Sequence, residues 1–264
     1  MPPFDALLAA RFDLIKGVAF GVLFMFAIAA QAINPHQNSR WTNFLNLKNN
    51  IVLGLVNNLL LAFICGSCLS VVAMKANRAG VGLFHLGVPV ALQVLLTIGL
   101  LDLVAYAFHR LYHRVPLFWR LHRVHHSDAV VETSTAVRFH PGEILISVAG
   151  RLTMIAILGI PLAGLLTYEI LFIAFNLFEH SDLTLPDKLD RIASRLFITP
   201  SMHRLHHSTS QDDYNSNFGT VFSCWDHLFR TLGYRHAKAL VTVGLARYEA
   251  PKRWVDLLTM PFKR

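Results

Sequence analysis

Four long apolar runs limit what this chain can become: residues 14–33, 51–74, 88–108 and 144–178. Runs of this length exceed what a globular core of this size can hide, and in a bilayer their backbone amides must be satisfied internally. The chain is therefore expected to be all-α and integral to a membrane. The fourth run has 35 residues. As one helix it would reach about 52 Å, against a hydrocarbon core of about 30 Å. Gly159-Ile160-Pro161 falls near its middle, where proline disfavours helix continuation, so a helical hairpin with both ends on one face is expected. The whole chain has 54% hydrophobic and only 15% charged residues, with mean hydropathy +0.45; soluble domains carry about a quarter charged residues. The expected architecture has about four to five transmembrane helices beneath a polar helical cap. Residues 1–87 form the N-terminal helices and loops, and residues 88–264 the remainder.

The end of the first run, AIAAQA, is similar to a signal-peptidase site. Asp5 and Asp13 balance Arg11 and Lys16 before it, so the positive flank of a signal peptide is lacking and a retained span is expected. Three cysteines imply no disulfide framework. Cys65 and Cys68 form a CxxC inside an apolar run, where packing rather than redox or metal chemistry is expected.

The net charge is +8. Nucleic-acid binding is one reading of a basic chain, but the positive-inside bias of membrane loops explains it with fewer assumptions. Residues 109–142 hold five Lys/Arg against two acids, and residues 180–264 hold twelve against eight. The hairpin returns both segments to one side, which is therefore expected to be cytoplasmic, with the bacterial inner membrane favoured over the endoplasmic reticulum.

That side carries the histidines. Of 14 in the chain, nine fall into four groups: His109 and His113; His122, His125 and His126; His180; and His203, His206 and His207. On a helix, positions i, i+3 and i+4 share a face, so HxxxH is expected to offer two imidazoles to one point and each HxxHH three. Neutral imidazole binds iron, copper, zinc and nickel, and two metals would account for the whole set. A pH-sensitive surface or a lipid-headgroup patch built with Arg110, Arg114, Arg120 and Arg123 would not require histidines repeated at these spacings.

The motifs HRLYH, LHRVHHS, RFHPGE, FEHSD, PSMHRLHHS and NFGTVFSCWDHLFRT, in this order over residues 100–233, resemble those of the fatty acid hydroxylase (sterol desaturase) superfamily. The resemblance implies a membrane diiron oxygenase that hydroxylates or desaturates lipids with O₂. It implies that the nine clustered histidines hold two iron ions, a nitrogen set that zinc can also occupy in purified protein. Some relatives have a further histidine where this chain has Asn176. The closing motif often reads LFGT, and here Arg230 replaces the glycine.

Several neighbours are candidates for supporting roles. Ligating histidines usually give their second N–H to a carboxylate. Asp102 and Tyr106 share a helical stripe with His109 and His113, and Asp102 is expected to take that role. His140 and Glu143 are expected either to support ligands or to cap a helix entry. Asp226 is expected to anchor a ligand histidine or to lie on a helix surface. His36, His85, His227 and His236 read as ordinary histidines. FHPGE is only superficially similar to the haem loop of small soluble cytochromes, so no haem is expected. Without a Gly-rich dinucleotide loop, a flavin site or an iron–sulfur cysteine pattern, electrons are expected from a separate reductase, ferredoxin or cytochrome docking on the basic face. Two other classes compete. A metal transporter would put ionisable ligands near mid-membrane, and a zinc hydrolase needs few histidines and an open position. Metal content and an O₂-linked optical change separate the three.

Overall fold

The computed structural model describes residues 3–36, 44–64, 66–246 and 253–263. Among these residues there is no β-strand, only isolated bridges such as Pro35 with Leu183. Five helical segments are long and apolar enough to cross a membrane. They contain α1 (Pro3–Ile33), α2 (Phe44–Ile64) with α3 (Cys68–Ala79), α4 (Val90–Arg114), α6 (Pro141–Leu158) and α7 (Leu162–His180). Leu14, Val18, Val22 and Phe26 on α1, and Leu55, Leu59 and Phe63 on α2, are exposed. That is the outward apolar surface a bilayer accepts and water does not.

The second apolar run differs from the expected single helix. It breaks at Gly66, whose backbone has φ +49° and whose N–H returns to the carbonyls of Leu61 and Ala62. Only glycine adopts this left-handed turn without strain, and a continuous apolar run hides such a break. Cys65 of the CxxC lies outside the described residues. The fourth run does form a hairpin. Gly159 closes α6 with φ +67°, and Pro161 precedes α7. The segment after α3 crosses the hairpin tip so closely that a Cβ on Gly82 would stand 2.2 Å from the Gly159 nitrogen. Asn77 Nδ2 donates to the Ile160 carbonyl there at 2.8 Å. One hydrophobic core joins Phe12, Leu69 and Ala73 to Leu101, Ile155, Leu165 and Tyr168, so the first helices pack directly on the later ones.

Short helices gather at the opposite end of the bundle. They are α5 (Pro116–His126), α8 (Asp187–Ala193), α9 (Pro200–His206), α10 (Gln211–Tyr214), α11 (Cys224–Leu228) and α12 (Trp254–Thr259). Pro116 starts α5 at a position that needs no N–H donor. The fully buried Arg138 ties α2 to this cap. Its Nε donates to the Val124 carbonyl at 3.0 Å and its Nη1 to Asn50 Oδ1 at 2.9 Å. Asp128 accepts from Asn46 at 2.7 Å, Asn50 at 3.1 Å and Thr135 at 2.7 Å. Buried charge held this way is fully hydrogen-bonded, which is the condition for tolerating it.

Candidate metal centre

His109 and His113 lie on the last turns of α4, and His122, His125 and His126 on α5. His180 ends α7, His203 and His206 lie on α9, and His207 caps it. The nine meet in two groups whose candidate ligand atoms lie within 4.8 Å of one another. One group is His109, His113, His122, His126 and His206; the other is His125, His180, His203 and His207. The groups adjoin, with the His126 ring stacked on His207 at 4.4 Å.

Each HxxHH motif is therefore divided, where spacing alone suggested three imidazoles aimed at one point. The i and i+4 rings of α5, His122 and His126, enter the five-membered group, while His125 turns to the other. In PSMHRLHH the pair His203 and His207 enters the four-membered group and His206 the five-membered one. Positions i and i+4 differ by only about 40° around a helix, whereas i+3 falls on the other side of i. Two adjacent groups can exploit that difference; one group cannot.

The chemistry of the nitrogens fits a cation in each group. In the four-membered group, His180 Nε2 stands 3.1 Å from His125 Nε2 and 2.9 Å from His203 Nε2, and His203 Nε2 stands 3.2 Å from His207 Nε2. A tetrahedral ion with bonds of about 2.0–2.1 Å needs nitrogens roughly 3.3 Å apart. In the five-membered group, Nε2 of His109, His113, His122, His126 and His206 is buried without a hydrogen-bond partner. Their opposite nitrogens show which face is free. His109 Nδ1 donates to the Phe218 carbonyl at 2.9 Å, and His206 Nδ1 to the Ser216 carbonyl at 2.7 Å. In the second group His180 Nδ1 donates to the Asn176 carbonyl at 2.7 Å. A carbonyl only accepts, so the proton sits on Nδ1 and the Nε2 lone pair is free. Burial pushes the imidazoles of His125, His126, His203, His206 and His207 well below the usual histidine range, and neighbouring imidazoles push the same way. All five are neutral at physiological pH, the state a metal needs.

The supporting residues sort differently from expectation. Glu143 Oε1 accepts from His122 Nδ1 at 2.7 Å, the carboxylate–imidazole contact looked for at Asp102. Asp102 instead accepts from the backbone N–H of Val221 at 3.2 Å and Phe222 at 3.1 Å, and from Trp225 Nε1 at 2.8 Å. It anchors the loop before α11, whose fold no helical stripe could reveal. Tyr106 bonds the Thr231 hydroxyl at 2.8 Å and stacks on Phe229, not on a histidine. Asp226 accepts from the N–H of Phe218 at 2.8 Å and Gly219 at 2.9 Å, so it acts on His109 one peptide removed. His140 caps α6, its Nδ1 accepting from the Gly142 N–H at 3.1 Å. Asn176 Nδ2 donates to the Ala136 carbonyl at 3.0 Å. Two contacts had no assigned role in the sequence. Glu179, buried beside His180, has its Oε2 3.6 Å from His203 Nδ1. Phe139 stacks on His125 at 4.4 Å. Both sit inside quoted motifs, FEHSD and RFHPGE, and that adjacency was their only signal.

A cavity of about 240 Å³ faces these histidines and runs between α4, α6 and α7. Its walls are mainly apolar and include Val104, Phe108, Phe139, Ile144 and Phe172.

The fatty acid hydroxylase family model matches residues 94–231, just over half of the chain. An ornithine lipid hydroxylase, OlsE, of Rhizobium tropici is 30% identical over 177 residues, 67% of this chain and 52% of that protein. An alkylglycerol monooxygenase of Caenorhabditis elegans is 33% identical over 132 residues, 49% of this chain and 25% of that protein. A cholesterol 25-hydroxylase of Rattus norvegicus is 27% identical over 142 residues, 53% of this chain and 46% of that protein. The chain thus spans about half or less of the length of these relatives. No solved structure matches it. With its ordered histidine motifs, five apolar helices and this match, the chain belongs to the fatty acid hydroxylase family.

Proposed function

We propose that this chain is an O₂-dependent oxidoreductase with two irons that hydroxylates or desaturates a membrane lipid at an unactivated C–H bond. One observation carries the reading: two adjoining groups of buried and half-buried imidazoles face an apolar cavity between helices long enough to span a membrane. Iron held by the two groups would supply O₂ reduction and removal of hydrogen from carbon. The chain's own residues do the rest. The nine histidines hold the ions, Glu143 orients His122, and the carbonyls of Phe218, Ser216 and Asn176 orient His109, His206 and His180. Phe108, Phe139 and Phe172 exclude water and receive an alkyl chain, keeping the oxidising step away from side reactions.

Hydroxylation puts one oxygen atom into the lipid and releases the other as water, so a separate donor protein must deliver an electron pair. Relatives named for ornithine lipid, alkylglycerol and cholesterol bracket the substrate class. The basic segments beside the centre support a cytoplasmic position, in a bacterial inner membrane, with residues 1–87 flanking a catalytic part at 88–264. The test is to load the purified protein with iron, supply O₂ and reductant, and compare lipids by mass spectrometry. Gain of one oxygen marks hydroxylation and loss of two hydrogens marks desaturation. An unchanged lipid profile from iron-loaded, reduced protein would refute the reading.

A further inference from the structure

A second charged cluster lies within the spanning helices, about three helical turns from His180 along α7. Glu169 on α7 is buried, and its Oε2 meets Lys16 Nζ of α1 at 2.6 Å. Its Oε1 accepts from Arg151 Nη1 of α6 at 2.8 Å. Asp13, one turn before Lys16, bonds the Ser67 hydroxyl at the exposed edge. The inner cluster thus sets two cations against one carboxylate. Ionisable groups inside a spanning helix are costly and are kept where they meet one another or a ligand. An ion pair is also poor grounds for stability, since apolar packing does the same task without desolvating charge.

The surroundings suggest a ligand. Asp13, Lys16, Arg151 and Glu169 line a cavity of about 580 Å³ between α1, α2, the start of α3 and the hairpin, with Asp13 held by the Ser67 hydroxyl and both cations on Glu169. Arg151, Phe172 and Asn176 also line the cavity that faces the histidines, so one wall is common to both. Along α7, Glu169, Phe172, Asn176 and His180 fall at i, i+3, i+7 and i+11, one continuous stripe. Eleven residues separate Glu169 from His180, about 16 Å of helix. The Arg151 guanidinium lies over the Phe172 ring at 5.8 Å and uses Nη1 for Glu169. An arginine has five N–H donors, so most of its donor capacity remains.

We propose that Lys16 and Arg151 form a headgroup subsite for the oxyanion of an amphiphilic lipid whose chain follows the α7 stripe toward the histidine centre. The inference rests on the lipid oxygenase reading. It adds that the bound lipid is anionic at its far end, and that the cluster-to-histidine distance selects which carbon is attacked.

The test is equilibrium binding of palmitate, hexadecyl phosphate and hexadecanol to the full-length protein in detergent, without O₂ or reductant. At least one of the two anions should bind about tenfold more tightly than the alcohol, the difference between a charge-assisted and a neutral hydrogen bond. Whichever binds more tightly identifies a carboxylate or a phosphate as the natural group. Arg151→Gln and Lys16→Met should abolish the preference. Lys16→Met, Arg151→Gln and Glu169→Gln together, which leave neither cation nor an unpaired buried carboxylate, should abolish it in protein that still folds. Arg151→Lys should keep most of it. Equal binding of all three probes to the wild type, or a preference that survives the triple substitution, overturns the proposal. A protein that oxidises lipid without such a preference refutes only the subsite. A protein with the preference that never oxidises lipid refutes only the oxygenase reading.

Discussion

His125 and His126 are consecutive on α5, yet their rings stand 5.6 Å apart at 87° and belong to different histidine groups. His206 and His207 repeat the relationship at 5.6 Å and 85°. Neighbouring residues are thus split between the two groups, and each motif links them.

Metal content should follow this division. With wild type holding about one ion per group, His125→Ala should cost the four-membered group its ion and His206→Ala the five-membered group. Each variant should retain about half the metal, measured by elemental analysis after purification. His36→Ala should retain all of it. Complete loss in either single variant would mean that the groups load as one unit.

Glu143→Gln keeps the shape of the side chain but weakens its hold on the His122 N–H. Loss of such a partner typically lowers metal affinity about 10–100-fold. Metal release to a competing chelator should speed up while the helical circular dichroism stays unchanged. An unaltered release rate would show that Glu143 only caps the entry to α6.

Glu132 provides a pH test away from the histidine groups. Burial raises its carboxyl to about 7, against the hydrogen bond from Ser134, with Asp128 and Asp182 adding repulsion. A carboxyl raised in the folded state contributes fully below its unfolded value of about 4.5, and that contribution is lost as pH climbs towards about 7. The loss amounts to about 3 kcal/mol. Glu132→Gln should therefore leave stability unchanged near the acid end and raise it above neutrality. Parallel thermal unfolding curves for the two proteins across this range would contradict the assignment.

Arg230 occupies a left-handed backbone conformation, with φ +57°. Its position in LFRT is where related motifs often carry glycine. Arg230→Gly should stabilise the protein by about 1 kcal/mol, seen as a higher unfolding midpoint with unchanged metal content. A lower midpoint would mean that the arginine side chain makes a stronger contribution than the backbone strain costs.

The apolar runs revealed the spanning helices because hydropathy is additive along a helix, and Gly159-Ile160-Pro161 revealed the hairpin because proline acts locally. The nine histidines could be picked out as a set for a similar reason: spacing reports a shared face. What spacing does not report is how many centres a face serves, so the division of His122, His125 and His126 was invisible. The break at Gly66 was hidden by uniform apolarity. The partners of Asp102 depend on the path of residues 217–231, which no pattern near α4 encodes. Glu169, Lys16 and Arg151 are far apart in sequence and meet only when three helices pack.

Because α9 contributes His206 to one group and His203 with His207 to the other, neither cage is whole until the ribosome has passed that helix. By then the five helical segments long and apolar enough to span a membrane among the described residues have already been synthesised. Any metal is therefore acquired only after those helices have been made, and until α9 closes the two groups the earlier imidazoles must be kept from scavenging the wrong cation.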